Sequence, residues 1–334
     1  MKKIINDPFE VVDEMLEGIL LAHPGHLQRT GETGRALVRR GAPVPGKVGI
    51  ATGGGSGHLP VFLGYVGPGL ADGVAVGNVF SSPGPQPMLD CIRAVDAGKG
   101  VLLLFGNYQG DIMNFEAAAE MARADGIDVR IAIVNDDVPS APRERIAERR
   151  GVAGLFYAYK LVGARADEAV SLDELERTAR EVIRNTRSVG VALAPCTVPA
   201  AGRPTFEIAD DEMEFGMGIH GEPGTERSRL KSADAIAAAM VETLLADLPF
   251  VAGDEVSVLV NGLGATPPTE LYVLYRRVHA LLLEHGLRID RSFVGEYATS
   301  LEMAGCSLTL LKLDDERKRL LHAPAFSPFL LQKS

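Results

Sequence analysis

Apolar runs that end at glycine-rich turns recur along this chain of 334 residues. Three of these runs are each followed by one side chain that can gain or lose a proton. Run 48–52 leads to His58, run 101–105 to Asp111, and run 215–219 to His220. We predict a strand for each run, because a short apolar run bounded by glycines is typical of a buried strand. Ligands of open α/β sheets bind beyond the carboxyl ends of strands, so the pattern predicts one site that contains all three side chains.

The rest of the chain alternates between apolar residues at helical spacing and further short apolar runs. We predict helices over 8–22, 88–97, 112–125, 152–163, 172–187, 232–248, 269–286 and 314–321. Further strands are predicted over 74–76, 129–134, 189–195, 206–219, 255–260, 288–294 and 306–311. The alternation indicates an α/β protein with two domains, 1–187 and 188–334, each a β-sheet covered by helices.

Composition narrows the possible functions. The formal charge of −10 argues against a nucleic-acid partner, which needs a basic face, and against docking on an anionic membrane. No apolar run approaches the roughly 20 residues of a spanning helix, and we identify no signal peptide. Cys91, Cys196 and Cys306 lack a CxxC spacing, so we expect reduced thiols in a cytoplasmic protein and no metal site.

Each candidate residue also has a plain structural interpretation. The run Gly53-Gly-Gly-Ser-Gly-His58 is either a tight turn or a loop whose backbone N–H groups meet a ligand. Asp111 is either a general base or the N-cap of the helix that follows. His220 is either a reactive imidazole or a satisfied buried histidine, and its close glycines favour the first. The glycine-rich turn 261–268 is predicted to end at a helix cap, Thr269.

Five motifs stand out along the chain: GGGSGH at 53–58, GNYQGDIMNFE at 106–116, EFGMGIHGEPG at 214–224, NGLGATPPTELY at 261–272 and TSLEMAGCSLTLLKLDDE at 299–316. Taken together and in this order, they resemble the substrate-binding (K) part of the dihydroxyacetone kinase family. The resemblance extends over roughly residues 1 to 330, and the motif around His220 is the most specific. It implies a fold of two α/β domains and a homodimer.

The resemblance also implies roles for residues. His220 would form a covalent hemiaminal with the carbonyl of a small ketose, dihydroxyacetone or a relative such as erythrulose. His58 and Asp111 would bind the hydroxyl to be phosphorylated and act as acid and base. Gly55, Ser56 and Gly57 would line the pocket.

The family's nucleotide-binding (L) part has no counterpart motifs here. The resemblance therefore implies that this chain binds no cofactor and that a partner L-type subunit carries ATP or ADP with Mg²⁺. A non-catalytic ketose-binding regulator of the same fold is the alternative. Several positions depart from the family pattern: Leu59 and Phe62 replace Glu and His, Gly106 and Gln109 replace Lys and Thr, and Val76 replaces Cys. These changes predict less polar surroundings of the site, which suit either another small ketose, such as erythrulose or a related four- or five-carbon ketose, or a changed docking surface for a different L partner.

Overall fold

The computed structural model describes residues 2–333, whose strands form two six-stranded sheets and one hairpin. The first sheet has the order β1-β2-β4-β3-β5-β6. Its strands are β1 (Leu27–Thr30), β2 (Ala36–Arg39), β3 (Gly49–Ser56), β4 (Gly73–Val79), β5 (Val101–Gly106) and β6 (Val129–Val134). Strands β4, β3, β5 and β6 are parallel, and every residue of β3 and β5 is buried. Burial on both faces explains why these two strands contain no charged residue.

The strand order creates a crevice in this sheet. The chain leaves β3 for β4 on one side and leaves β5 for β6 on the other. Connections that run in opposite directions open a space between the carboxyl ends of β3 and β5. His58 lies two residues beyond the end of β3, and Asp111 lies just beyond β5. The first sheet therefore brings both side chains to one crevice.

The second sheet has the order β11-β10-β12-β7-β8-β9. Its strands are β7 (Thr186–Ala194), β8 (Glu212–Phe215), β9 (Glu226–Arg229), β10 (Glu255–Gly262), β11 (Arg288–Gly295) and β12 (Ala304–Leu313). Only β10 and β11 pair in parallel among the described strands of this sheet, and the other pairs are antiparallel. A final hairpin joins β13 (Ala325–Ser327) to β14 (Leu330–Gln332).

The helices form three layers, one on the outer face of each sheet and one between the two sheets. They are α1 (Val11–Ala22), α2 (Pro85–Val95), α3 (Gln109–Ala124), α4 (Leu155–Ala166), α5 (Leu172–Arg184), α6 (Ala233–Asp247), α7 (Pro268–Glu284) and α8 (Asp315–His322). Helices α2 and α3 pack on the outer face of the first sheet, and α6 and α7 on the outer face of the second. Between the sheets lie α4, α5 and α8, in one continuous hydrophobic core.

Helix α4 belongs to both halves of the protein. Every residue of α4 except Arg165 is buried. The Tyr157 hydroxyl donates to Ser257 Oγ of β10 at 2.9 Å, and the Tyr159 hydroxyl lies 2.7 Å from Thr52 Oγ1 of β3. Two tyrosines of one helix thus bond to opposite sheets. The domain boundary at 187 stays a prediction, since β7 begins at Thr186 and the core crosses that point.

Several local predictions are wrong. The short strands β1 and β2 were not predicted. The glycines of 53–57 were expected to form a turn, but those up to Gly55 lie within β3. The strand predicted over 215–219 ends at Phe215, because Gly216 adopts φ +83° and the chain then forms turns. The N-cap of α7 is Pro267 and not Thr269.

Two composition-based expectations concern the whole chain. Cys91, Cys196 and Cys306 are all unpaired thiols. None of the helices between residues 2 and 333 combines the length and the apolar composition that crossing a bilayer requires.

Candidate active site

His58 follows strand β3 at the crevice, and one of its ring nitrogens is hydrogen-bonded. His58 is 1% exposed, and its Nδ1 lies 2.8 Å from the Thr299 carbonyl oxygen. A carbonyl can only accept, so Nδ1 carries the proton and Nε2 keeps its lone pair. This Nε2 is buried and has no hydrogen-bond partner among the described residues. His58 therefore presents a neutral acceptor to the crevice.

The segment before β12 holds the His58 turn in place. The Leu301 N–H donates to the Gly57 carbonyl at 2.8 Å, and Thr299 Oγ1 donates to the Leu59 carbonyl at 2.9 Å. Gly57 adopts φ +101°, which a side chain would disfavour. The sequence motif at 299–316 had no assigned role, and here its first residues position a histidine of the other sheet.

Asn261 supports that segment from the end of β10. It is fully buried, and its Nδ2 donates to the Ala298 carbonyl at 2.8 Å and to Ser307 Oγ at 3.1 Å. Its Oδ1 accepts from the N–H groups of Tyr297 and Ala298, both at 2.8 Å. All four hydrogen-bonding positions of this amide are therefore used, and they fix the turn that leads to Thr299.

We expect Asn261→Asp to destabilise the protein by about 2–4 kcal/mol, because the carboxylate loses both donors and places a charge in the core. Urea denaturation measures the change. Asn185→Asp is the control, since the Asn185 side chain donates one hydrogen bond, at 2.8 Å to the Glu181 carbonyl of its own helix. Equal midpoints for the two variants would contradict the proposed support.

Burial keeps His58 neutral. Desolvation, followed by the charge of His220, lowers the pKa of His58 to about 3. We therefore expect the His58 ring not to titrate between about pH 5 and 9, where an ordinary histidine does. Side-chain ¹⁵N NMR of the native protein measures this directly. A midpoint near the ordinary value would show that water reaches the Nε2 atom.

Asp111 occupies the first turn of α3 without capping it. The N-cap is Tyr108, and no side chain caps this helix. Asp111 is 5% exposed, and its Oδ1 is buried without a partner among the described residues. Burial raises the pKa of Asp111 to about 6, against the lowering effects of Ser82 and of the His220 charge. The capping interpretation is therefore wrong, and a carboxylate with a raised pKa faces the crevice.

His220 lies in a turn of the second sheet, where the Glu222 carboxylate contacts both its backbone and its ring. One carboxylate oxygen of Glu222 accepts from the His220 backbone N–H at 2.9 Å, and the other lies 2.9 Å from His220 Nδ1. Burial would raise the pKa of Glu222, but the hydrogen bond and charge of His220 and the charge of Arg150 lower it to about 2. An ionised carboxylate only accepts, so Nδ1 carries the proton and Nε2 is the free nitrogen.

Three rings surround the His220 imidazole. Its centroid lies 4.7 Å from His58, 4.7 Å from Tyr108 and 5.2 Å from Phe80, and each of these rings is nearly perpendicular to it. Phe80 also stacks on His58 at 4.8 Å and 11°. Phe80 adopts φ +57°, a strained conformation that for a bulky residue is typical of functional sites. The contacts fix both imidazoles in position.

The predicted pocket residues Gly55, Ser56 and Gly57 are explained in part by packing. A Cβ on Gly55 would lie 2.6 Å from the Ser81 backbone nitrogen, and one on Gly57 would lie 2.9 Å from the Phe80 ring. The Ser56 hydroxyl donates to the Gly77 carbonyl at 2.8 Å. The glycines are therefore needed for the close approach of the segment that follows β4. Their contact with a substrate stays a prediction.

The departures at 59 and 62 lie behind the site. Phe62 is 6% exposed and belongs to the main core, where its ring lies against Gly54, and Leu59 packs against the same core. These two changes therefore replace polar residues by apolar ones within packed structure, and they leave the polar atoms of the crevice unchanged. Gly106, another departure, lies in close packing, because a Cβ at this position would lie 3.2 Å from the Gly151 carbonyl oxygen.

The unpaired polar atoms converge on one place. Six buried side-chain atoms between residues 2 and 333 lack a hydrogen-bond partner, and three of them are His58 Nε2, Tyr108 OH and Asp111 Oδ1. The rings of His58 and Tyr108 contact the His220 imidazole, and the His220 charge acts on Asp111. Orphaned buried groups are rare and costly, so this grouping indicates a place where a polar molecule binds. Sequence reasoning missed Tyr108 and Glu222. Both stand within a few residues of a predicted site residue, and that proximity was the available signal.

Known proteins are similar to this chain over most of its length. The Dak1 domain matches residues 17–329. The dihydroxyacetone-binding subunit DhaK of PTS-dependent dihydroxyacetone kinase 1 from Listeria innocua is 46% identical over 317 residues, 95% of this chain and 96% of that subunit. A D-erythrulose kinase of Mycolicibacterium smegmatis is 43% identical over 328 residues, 98% of this chain and 56% of that kinase.

A solved structure supports the fold as well. The dihydroxyacetone kinase operon co-activator Dha-DhaQ has a TM-score of 0.87 and 37% identity to this chain, and the match covers 96% of this chain and 97% of the co-activator. The comparisons confirm the resemblance found in the five motifs and the α/β fold with two helix-covered sheets. The chain belongs to the Dak1 domain family.

Proposed function

We propose that this chain is the ketose-binding subunit of a dihydroxyacetone-kinase-type phosphotransferase. The observation that carries the proposal is the free Nε2 of His220 beside three unpaired polar atoms. The substrate is a small ketose, dihydroxyacetone or a relative such as erythrulose. The names of the DhaK subunit and the D-erythrulose kinase support this substrate class.

The first step is capture of the carbonyl. The lone pair of His220 Nε2 adds to the carbonyl carbon, the C=O π electrons move to oxygen, and that oxygen takes a proton. The imidazolium formed transiently is stabilised by the Glu222 carboxylate, and loss of its Nδ1 proton leaves a neutral hemiaminal. Glycerol has no carbonyl, so covalent capture selects by functional group, where a pocket alone discriminates poorly.

The second step is transfer of a phosphoryl group to the terminal hydroxyl. Asp111 Oδ1 and His58 Nε2 are the two unpaired acceptors beside the captured substrate. His58 Nε2 accepts the hydrogen bond of this hydroxyl in the bound substrate and so orients it. Asp111 then takes the proton as the oxygen attacks phosphorus and the bond from phosphorus to the donor's leaving oxygen breaks. The hemiaminal fixes the substrate during this step, which lowers the entropic part of the barrier. Positioning and charge neutralisation are the main needs of phosphoryl transfer.

The phosphoryl donor belongs to a partner in this proposal. A nucleotide-binding L-type subunit supplies ATP, or ADP recharged by a phosphotransferase-system protein, with Mg²⁺. The D-erythrulose kinase supports this division, because its match to the present chain leaves the rest of its length for another part. No cofactor is assigned to the chain itself.

The experiment is ¹³C NMR with ketoses labelled at the carbonyl carbon. Addition of protein to labelled dihydroxyacetone or erythrulose is expected to convert the carbonyl signal to that of a saturated carbon, and glycerol is expected not to bind. Adding a family L-type subunit with ATP and Mg²⁺ should then give a phosphorylated ketose. A carbonyl signal that stays unchanged with every small ketose would overturn the proposal.

A second candidate function is a ketose-binding regulator. The 37% identity and TM-score of 0.87 to the Dha-DhaQ co-activator favour it. Against it stands Asp111, because carbonyl capture does not need a buried carboxylate with a raised pKa. Ketose binding without phosphorylation in the presence of active L-type subunits would favour the regulator.

We further propose a homodimer in the cytoplasm. The family resemblance supports the dimer, and three unpaired cysteines suit a reducing compartment. Analytical ultracentrifugation of the chain alone tests the dimer, and a monomer at micromolar concentration would contradict it.

A further inference from the structure

The turn that carries His220 is tied to the other sheet through one arginine. Arg150 lies in the long connection after β6, whose strand belongs to the first sheet. Its Nε donates to Asp137 Oδ2 at 2.8 Å, and its Nη2 donates to the Gly216 carbonyl at 3.0 Å. Its Nη1 lies 3.9 Å from Glu222 Oε2, an ion-pair distance. One planar guanidinium therefore joins three groups.

The anchor of this arginine is rigid. Asp137 is 1% exposed, its N–H donates to the Arg150 carbonyl at 3.1 Å, and the Arg150 N–H donates to Ser140 Oγ at 3.0 Å. Asp137 follows β6 by three residues, at the same carboxyl edge of the sheet that carries Asp111. The Arg150 side chain is 14% exposed, so water screens its charges only weakly.

Gly218 makes the approach of Arg150 to Glu222 possible. A Cβ at this position would lie 2.1 Å from Glu222 Oε2 and 2.5 Å from Arg150 Nη1. The backbone at Gly218 does not adopt a positive φ, in contrast with Gly216 at φ +83°. The absence of a side chain at 218 is therefore explained by the ion pair that crosses this position.

We infer that Arg150 is a positioning residue for His220: it holds the Glu222 carboxylate so that Nδ1 is protonated and Nε2 points at the crevice. Glu222 is 30% exposed and could otherwise turn toward solvent. The hydrogen bonds of Arg150 to Asp137 and to the Gly216 carbonyl also align the His220 turn with the sheet edge that carries Asp111. A lysine would keep the charge but could not reach three partners with one planar fork. The inference rests on the proposed function only for its consequence in ketose capture.

The test compares Arg150→Met, Arg150→Lys and Gly218→Ala with the native protein. Arg165→Met is the matched control, because Arg165 is 16% exposed and pairs with Glu168 on the surface of α4. Side-chain ¹⁵N NMR of His220, without any ligand, reads which ring nitrogen carries the proton. Titration with carbonyl-labelled dihydroxyacetone, followed by ¹³C NMR, then measures the affinity for ketose capture. Thermal unfolding measures the stability of each variant.

We expect the native protein and Arg165→Met to show one tautomer, with the proton on Nδ1. Arg150→Met, Arg150→Lys and Gly218→Ala should show mixed tautomers and capture the ketose about 10- to 100-fold more weakly, the scale seen when a group that orients a metal-bound histidine is removed. Gly218→Ala keeps the arginine and its charge and disturbs only its approach to Glu222, so it remains informative if the Arg150 variants do not fold.

The outcomes separate this inference from the proposed function. Unchanged tautomer and unchanged capture in Gly218→Ala and in a folded Arg150 variant would overturn the positioning role. Rescue of both readouts by Arg150→Lys would also overturn it, because charge alone would then suffice. A native protein with one tautomer, lost in the variants, but with no ketose adduct would support the positioning role and contradict the proposed function.

Discussion

His220→Ala is expected to abolish the ketose adduct and to lower turnover with a partner subunit by at least about 1000-fold, the scale seen when a nucleophile is removed. The reason is chemical. Among residues 2–333, the other unpaired imidazole nitrogen at the crevice is His58 Nε2, which belongs to a different sheet and cannot take the place of His220 Nε2. Native mass spectrometry with gentle ionisation measures the adduct, and a coupled assay measures turnover.

The control for this variant is His279→Ala. His279 is also half-buried, and its ring lies 5.9 Å from an aromatic ring, that of Tyr275 on the same helix. A general effect of removing a half-buried imidazole would appear in both variants. An adduct that survives in His220→Ala would mean that another residue captures the carbonyl, and the roles assigned to His220 and Glu222 would then be wrong.

Asp111→Asn is expected to keep the adduct and to lower turnover by about 100- to 10,000-fold, the usual contribution of a general base. The amide cannot take the hydroxyl proton. The native enzyme should gain activity as pH rises through about 6, because burial raises the pKa of Asp111 to about 6 and only the ionised form is a base. Asp125→Asn, at the exposed C-terminal end of the same helix, should leave turnover and its pH profile unchanged.

The same variant has an independent effect on stability. The folded protein raises the pKa of Asp111 from 3.8 to about 6, so its favourable contribution is full below about pH 4 and is lost as pH rises through 6. Asp111→Asn should therefore be more stable than the native protein near pH 8, by up to about 3 kcal/mol, and equal to it near pH 4. Urea denaturation at both pH values measures this. A variant less stable at pH 8 would show that the Asp111 carboxylate has a favourable partner in the native protein.

The positions of His58 and Asp111 could be predicted from sequence because both follow buried parallel strands. Unbroken apolar runs such as 101–105 mark such strands, and the edge where parallel strands end is shared. The bounds of the His220 segment could not be predicted this way. Met217 and Ile219 look like strand residues, but both are buried beneath a turn, Met217 in a small separate cluster, because tertiary packing outweighed the local pattern.

The chemistry of the site depended on contacts that no spacing in the chain encodes. The tautomer of His58 is set by Thr299, which lies 241 residues away, and Arg150 reaches Gly216 across 66 residues. Sequence also could not separate a capping Asp111 from one with a free oxygen, because the difference lies in whether a neighbour donates to it. Likewise, sequence could not show where the apolar changes at Leu59 and Phe62 lie, and the structure places Phe62 in the main core with Leu59 packed against that core.

The sequence by itself determined the fold class, the family and the residue types that can perform the chemistry, because periodicity and motif order are local properties of the chain. The tertiary structure decided which nitrogen of each histidine is free, which carboxylate is ionised and how the two sheets share helix α4. Those properties arise from desolvation and hydrogen bonds between distant segments, and they exist only once the chain has folded.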